Sequence, residues 1–195
     1  MSEQDAFSGT QPVAADRSFD VGALQAFMEE HVAGFTGNLE VREFKGGQSN
    51  PTYSLTAGGH RYVMRRKPPG RLLKSAHAVD REFTVMSALD GTDVPVPKCH
   101  ALCTDESLIG TWFYVMDHVD GRILWDNDMP GSNPEERAAV YDSMVQTLAK
   151  LHAVDHVAVG LDRFGKPTDY IARTLNRFVG QYRLPETEKI PEMDW

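Results

Sequence analysis

The first regular feature of the sequence is a run of apolar residues at the spacing of an α-helix. They are Val21, Leu24, Met28, Val32 and Phe35. Residues three and four apart lie on one face of a helix, so this run predicts an amphipathic helix. Asp20 can cap its first turn, and Gly37 follows its end. Residues 1–18 are polar and small and lack any such period, so we expect a disordered lead-in there.

After this helix the pattern changes to the alternation of β-strands. Apolar and polar residues alternate around residues 39–41 and again around residues 53–55. The dipeptide Gly58-Gly59 favours a two-residue hairpin turn, after which residues 61–66 return as a third strand. The pattern therefore predicts three antiparallel strands.

The connection between the first two strands is too long for a tight hairpin. It consists of Gly46, Gly47, Gln48, Ser49, Asn50 and Pro51. Glycine and small polar residues leave backbone N–H groups accessible, so we expect this loop to hold a ligand.

A second amphipathic helix follows a basic, proline-containing stretch at residues 67–74. Ser75 can cap this helix and Gly91 can close it. Its inward-facing residues are Val79, Phe83, Met86 and Leu89. Glu82 lies on the same stripe, where a carboxylate is costly unless it is paired.

Two more strands and two more helices complete the pattern. The strands cover residues 98–103 and 112–116. Asn133 as N-cap, with Pro134 and Glu136 after it, opens the first of these helices. Its apolar face carries Ala138, Tyr141, Val145, Leu148 and His152. The last helix carries Ile171, Leu175, Phe178 and Tyr182 on one face.

Composition and charge exclude some classes of function. The 195 residues include 20 Lys and Arg against 28 Asp and Glu, and the net charge of -8 argues against a nucleic-acid binder. No apolar run is long enough to span a membrane, and the first residues lack the order of a secretory signal. We therefore expect a cytoplasmic protein without a membrane segment.

The two cysteines, Cys99 and Cys103, lie four residues apart, a spacing that puts both thiols on one face of a regular strand. A zinc site is one interpretation, but no further cysteine or clustered histidine would complete its usual ligand set. We prefer the interpretation that both are reduced core thiols.

Three features would converge if the strands form one sheet: the loop at residues 46–50, Arg65 on the third strand, and Glu82 in the next helix. Taken alone, each feature has a common explanation. A Gly-Gly loop is often only a turn, a basic residue in a strand often faces solvent, and a carboxylate often lies at the edge of an apolar stripe. Together they suit a polyphosphate, because backbone N–H groups and a fixed cation can both bind phosphate oxygens. Glu82 is the natural partner to hold Arg65. This is the strand-cation and helix-glutamate arrangement of protein kinases, with arginine in place of lysine.

These segments resemble the aminoglycoside phosphotransferase and choline kinase-like family. The resemblance rests on the loop at residues 46–50, the strand Tyr62-Val63-Met64-Arg65, the helix segment Ala78-Val79-Asp80-Arg81-Glu82 and residues 113–121. No catalytic or metal-binding residue is carried over by it.

The resemblance implies an α+β, protein kinase-like fold. A five-stranded antiparallel N-lobe sheet with a helix packed on it would be followed by the first helices of an α-helical C-lobe. The implied domains are a nucleotide-binding N-lobe at residues 19–117, a hinge at 118–123 and the start of the C-lobe at 124–195.

The resemblance also implies how ATP or GTP, with Mg²⁺, would bind. The residues around the phosphates would be Gly46, Gly47, Gln48, Ser49 and Asn50. Arg65 would clamp the phosphates and Glu82 would orient Arg65. Met116 would lie behind the adenine pocket, while the C=O of Asp117 and the N–H of Val119 would hydrogen-bond the base. The implied partners are the nucleotide and a small-molecule hydroxyl substrate.

Within this family the sequence is most similar to kinase-like domains found beside or fused to acyl-CoA dehydrogenases, through residues 65–70 and 75–82. That similarity implies a hydroxyacyl-CoA or related hydroxyl as substrate rather than an aminoglycoside. The basic residues Arg66, Lys67, Arg71 and Lys74 would then either meet phosphates of a CoA-like ligand or face solvent.

The family's catalytic segment, His-Gly-Asp with a later Asn, and its metal-binding Asp have no counterpart among these residues. The candidates Asp90-Gly91 and Asp120-Gly121 lie in the wrong order and lobe. We therefore expect negligible turnover by this chain alone. A truncated enzyme is one interpretation, and a non-catalytic, pseudokinase-like nucleotide-binding or scaffolding module is the alternative. In a truncated chain the helices from Pro134 onward would expose an apolar stripe that favours homo-oligomers.

Overall fold

The computed structural model describes residues 8–46, 50–68, 70, 77–166 and 168–183. The strands are β1 (Thr10–Gln11), β2 (Glu40–Phe44), β3 (Thr52–Ala57), β4 (His60–Arg66), β5 (Cys99–Cys103) and β6 (Phe113–Asp117). The helices are α1 (Val21–His31), α2 (Val79–Leu89), α3 (Glu106–Ile109), α4 (Pro134–Ala153) and α5 (Tyr170–Arg183). None of the described helices is both long and apolar enough to cross a membrane.

The strands form one antiparallel sheet in the order β1-β2-β3-β4-β6-β5. The predicted α+β fold is confirmed, but the sheet has six strands and not the expected five. The additional strand, β1, lies where we expected a disordered lead-in. That expectation does not hold for residues 8–18, because β1 pairs with β2 and the side chain of Arg17 pairs with the buried carboxylate of Glu43.

The main core lies between α1 and one face of the sheet. It includes Leu24 and Met28 of α1 together with Tyr53, Leu55, Met64, Phe113 and Val115. Helix α1 begins at its predicted residue because the carboxylate of Asp20 accepts a hydrogen bond from the N–H of Ala23 at 3.0 Å. The helix ends at His31, before the last residues of the predicted stripe, yet Val32 and Phe35 still reach the core.

The predicted turn between β3 and β4 depends on the conformational freedom of its two glycines. Gly58 and Gly59 have φ angles of 55° and 81°, in the left-handed region. A Cβ atom at Gly58 would lie 2.5 Å from the carbonyl oxygen of Thr36, whereas one at Gly59 would meet nothing within 4 Å.

Strand β5 contains a bulge that separates the two cysteines. The register shifts between Cys99 and Ala101 where β5 pairs with β6. Cys103 consequently belongs to the main core, while the thiol of Cys99 hydrogen-bonds Ser87 of α2. The expectation of one shared face is therefore wrong, because it assumed a regular strand.

Besides the short α3, three described helices follow α1. Helix α2 begins at Val79, later than expected, with Ala78 as N-cap; Ser75 lies outside the described residues. Helix α4 opens with the predicted capping box between Asn133 and Glu136, whose bonds measure 2.8 and 3.3 Å. No described side chain of α4 or α5 is buried.

The chain divides into two compact units, Met1–Val154 and Asp155–Trp195. The first contains the sheet and helices α1 to α4, and the second contains α5. The lobe boundary expected at residues 118–123 stays a prediction.

Candidate functional site

A cavity of about 490 Å³ lies against the sheet in the first unit. Its walls include Val63 and Arg65, which alternate along β4 with the core residues Tyr62 and Met64. Because successive strand residues point to opposite faces, the cavity lies on the face away from the main core. Further apolar lining comes from Phe44, Val119, Ile123 and Trp125. The cavity therefore offers an apolar wall beside a basic side chain.

Arg65 is held by Glu82 of α2. The Nε atom of Arg65 donates to Oε2 of Glu82 at 2.7 Å, so the ion pair expected between them is present. The two side chains are 33% and 35% exposed, and water screening makes such a pair a small contribution to stability. Its main effect is to orient the guanidinium. Among the described residues only Glu82 accepts from the side chain of Arg65, which leaves the terminal nitrogens available to a ligand.

Glu82 receives two further hydrogen bonds that the sequence did not reveal. The hydroxyl of Tyr114 donates to Oε2 at 3.0 Å, and Nδ2 of Asn50 donates to Oε1 at 3.2 Å. Burial first, and then the charge of Glu82, raise the pKa of Tyr114 well above its usual value. Only the strand register identifies Tyr114 as a site residue, because Tyr114 lies directly opposite Arg65 where β6 pairs with β4.

The predicted phosphate loop is described only at its two ends. Gly46 lines the cavity, while Gly47, Gln48 and Ser49 lie outside the described residues. Asn50 is only 4% exposed, and its amide oxygen lies 2.7 Å from Nδ1 of His77. The phosphate-binding role of this loop stays a prediction.

The predicted hinge follows the end of β6. Met116 pairs with Val63 across the sheet, and the carboxylate of Asp117 lies 2.6 Å from Nε2 of His100. The N–H of Asp117 donates to the carbonyl of Lys98 at 2.9 Å. Val119 lines the cavity, and no described residue accepts from its N–H. The assigned contacts to a base stay predictions.

His118 is a cavity residue that the sequence analysis missed. Its ring stacks on Phe44, with centroids 6.3 Å apart and planes 23° apart. Asp120, two residues on, forms an ion pair with Arg61 at 2.5 Å. These contacts attach the segment after β6 to β2 and β4. The wall of the cavity therefore combines side chains of the sheet with side chains of that segment.

The structure describes two of the four basic residues that were expected either to meet a CoA-like ligand or to face solvent, and Arg66 does neither. Arg66 is 3% exposed, because it points into the main core with its guanidinium 5.1 Å from the ring centroid of Phe19. It also donates to Thr111 at 3.1 Å. The ammonium of Lys67 lies over the ring of Trp112. The remaining two basic residues of the set, Arg71 and Lys74, lie outside the described residues.

An antiparallel sheet with an arginine–glutamate ion pair beside a cavity is the arrangement that the sequence resemblance implied. The model of the phosphotransferase enzyme family matches residues 40–195, and the chain belongs to that family. The resemblance stated from the sequence is thereby confirmed.

Two similar proteins are named as acyl-CoA dehydrogenase family members, which agrees with the subgroup resemblance stated from the sequence. Acyl-CoA dehydrogenase family member 11 of Rattus norvegicus is 44% identical over 196 residues, which are 98% of this chain and 25% of the relative. Acyl-CoA dehydrogenase family member 10 of Mus musculus is 43% identical over 186 residues, which are 95% of this chain and 17% of the relative. The chain thus spans a quarter or less of these curated relatives.

A solved structure shows the same fold. It is a protein from Ralstonia eutropha provisionally described as an aminoglycoside phosphotransferase, with 52% sequence identity and a TM-score of 0.73. The match covers 91% of this chain and 51% of that chain.

Proposed function

We propose that this chain forms the nucleotide-binding portion of an ATP- or GTP-dependent phosphotransferase that acts on a small-molecule hydroxyl. The observation that carries the proposal is the Arg65–Glu82 pair at the wall of the cavity. A guanidinium fixed in this way can clamp phosphate oxygens by charge-assisted hydrogen bonds. A nucleotide with Mg²⁺ would supply the phosphoryl group that is transferred. We assign no catalytic base and no metal ligand to this chain.

The apolar part of the cavity suits the nucleobase. Phe44, Val63 and Val119 form a surface against which a planar ring can pack. In this arrangement the C=O of Asp117 and the N–H of Val119 hydrogen-bond the base, with Met116 behind it. The phosphates then extend toward Arg65 and the loop at residues 46–50.

The substrate class we propose is a hydroxyacyl-CoA or a related hydroxyl compound. Support comes from the relatives, which are named as acyl-CoA dehydrogenase family members. The cytoplasmic location expected from the sequence stays a proposal.

The nucleotide part of the proposal is tested by the variant Arg65→Ala. Loss of a charge-assisted clamp should weaken ATP or GTP binding by about tenfold or more, measured by isothermal titration calorimetry. Arg163→Ala is the matched control, because Arg163 is 96% exposed in the other unit. Equal affinities of Arg65→Ala and the unaltered protein would count against the assignment.

A second candidate is a non-catalytic, pseudokinase-like module that binds nucleotide or scaffolds a partner. The sequence leaves this alternative open, because no His-Gly-Asp segment occurs within these 195 residues. The two candidates differ in whether phosphate is transferred. The test is to incubate the full-length protein with ATP or GTP, Mg²⁺ and a hydroxyacyl-CoA and to analyse the products by mass spectrometry. A phosphorylated acyl-CoA supports the enzyme, and binding without transfer supports the module.

A further inference from the structure

We infer that Asn50 is a positioning residue that connects the loop after β2 to the Arg65 clamp, with His77 as its support. The inference rests on the proposed function, because it gives a role in phosphate binding to contacts that hold Glu82. It also changes the role of Asn50 from the direct phosphate contact that the sequence suggested to an indirect one.

Both ends of the Asn50 amide are already engaged. Its Nδ2 atom donates to Oε1 of Glu82 at 3.2 Å, and its Oδ1 atom lies 2.7 Å from Nδ1 of His77. Because the nitrogen end faces a carboxylate, the oxygen end must accept, and Nδ1 of His77 must carry the proton. The residue as a whole is also only 4% exposed, which leaves little surface for a ligand to touch.

Asn50 completes the set of donors that fixes the carboxylate of Glu82. Arg65 and Tyr114 both donate to Oε2, whereas Asn50 donates to Oε1. The terminal torsion of a glutamate is soft, so a carboxylate held at one oxygen can still turn. Donors on both oxygens stop this rotation and fix the direction in which Arg65 is held.

The same side chain joins two segments of the chain. Asn50 lies near the end of the loop, and its backbone carbonyl accepts from the hydroxyl of Thr52 at 3.0 Å. His77 lies just before α2 with a φ of 57°, which is uncommon for a residue other than glycine. The position of Asn50 and the orientation of Glu82 are therefore coupled through one amide.

The test compares a nucleotide with its nucleoside. Calorimetry should measure ATP and adenosine, and GTP and guanosine, on the unaltered protein, on Asn50→Ala and on Asn50→Asp. Asn50→Ala should weaken triphosphate binding by about tenfold and leave nucleoside binding unchanged, because only phosphates contact Arg65. Asn50→Asp should weaken triphosphate binding further, because it places a second carboxylate where Nδ2 lay 3.2 Å from Glu82. The exposed Asn38 provides the control Asn38→Ala.

His77 provides an independent variant. His77→Ala should cause a smaller loss of triphosphate affinity in the unaltered background and no further loss in the Asn50→Ala background, since its ring acts through Asn50. Should Asn50→Ala fail to fold, as judged by thermal unfolding, His77→Ala alone carries the comparison of nucleotide with nucleoside.

Three outcomes would overturn the inference. Unchanged triphosphate affinity in Asn50→Ala removes its role, while the proposed nucleotide binding stands. Equal losses for triphosphate and nucleoside assign Asn50 a purely structural role. No binding of ATP or GTP by the unaltered protein would overturn the proposed function and the inference together.

Discussion

At the scale of single residues, Tyr114 illustrates how the site depends on environment. The phenol is buried and donates to Glu82, so both burial and the neighbouring negative charge disfavour the phenolate. The pKa of Tyr114 is raised as a result. The unfolded chain, which lacks this environment, releases the same proton near the usual pH of about 10.

This difference predicts how stability changes at alkaline pH. The free energy of unfolding should fall as the pH rises above about 10, because the unfolded state then binds fewer protons than the folded state. Tyr114→Phe should flatten this dependence by up to about 1.4 kcal/mol per pH unit. Urea unfolding at several pH values between about 9 and 11 measures the slope. Tyr170→Phe, at a position 69% exposed, is the control, and equal slopes for Tyr114→Phe and the unaltered protein would contradict the prediction.

Two adjacent arginines show what a residue type alone does not reveal. Arg65 lines the cavity and pairs with Glu82, while Arg66 lies in the core against Phe19. Both are basic residues of one strand. Their different roles follow from strand alternation, which points neighbouring side chains to opposite faces of the sheet. The sequence grouped Arg66 with exposed basic residues, because it did not show that the face of β4 carrying Arg66 is buried.

At the scale of elements, the turn between β3 and β4 is determined by local sequence and then constrained by a distant contact. The Gly58-Gly59 pair predicts the hairpin correctly, since both φ angles are positive. The close approach of Thr36 to Gly58 could not be predicted, because it depends on how the segment after α1 packs on the turn.

The two glycines therefore make a matched pair of variants. Alanine at either position should cost about 1 kcal/mol of stability, because both positions require a left-handed conformation. Gly58→Ala should cost about 1–3 kcal/mol more, because its Cβ would lie 2.5 Å from the carbonyl oxygen of Thr36. Urea denaturation of both variants measures the difference. Equal losses would show that the backbone at Thr36 yields without cost.

At the scale of the whole molecule, the two units expose apolar side chains of their own. In the first unit Met144, Val145 and Leu148 of α4 are 57%, 59% and 50% exposed. In the second unit Ile171, Leu175 and Phe178 of α5 are 73%, 59% and 58% exposed. Apolar faces of this kind are typical of surfaces that contact other protein.

We therefore expect the 195-residue chain to self-associate in a concentration-dependent manner. The variant Leu175→Glu should shift it toward the monomer, because a charge on the apolar face of α5 is costly to bury. Analytical ultracentrifugation measures the change. Asn176→Glu adds the same charge at the neighbouring position of α5 as a control, and a chain that is monomeric at all concentrations would contradict the prediction.

The sequence by itself determined the elements whose signals lie close together along the chain. The capping contacts of Asp20 with Ala23 and of Asn133 with Glu136 lie within one turn of helix. The turn at Gly58-Gly59 depends on two adjacent residues. Local composition and spacing are therefore sufficient to predict them. The pair of Arg65 and Glu82 was predicted differently, from a costly inward-facing carboxylate and a basic residue on the preceding strand, the arrangement of protein kinases.

Only the tertiary structure decided the rest. Asn50 and Tyr114 each lie 32 residues from Glu82 in sequence, and only the folded sheet brings them to the same carboxylate. Strand β1 is held by pairing with β2 and by the contact of Arg17 with Glu43, which no local pattern encodes. Long-range contacts of this kind depend on packing, and packing is set by all the elements together rather than by any one segment.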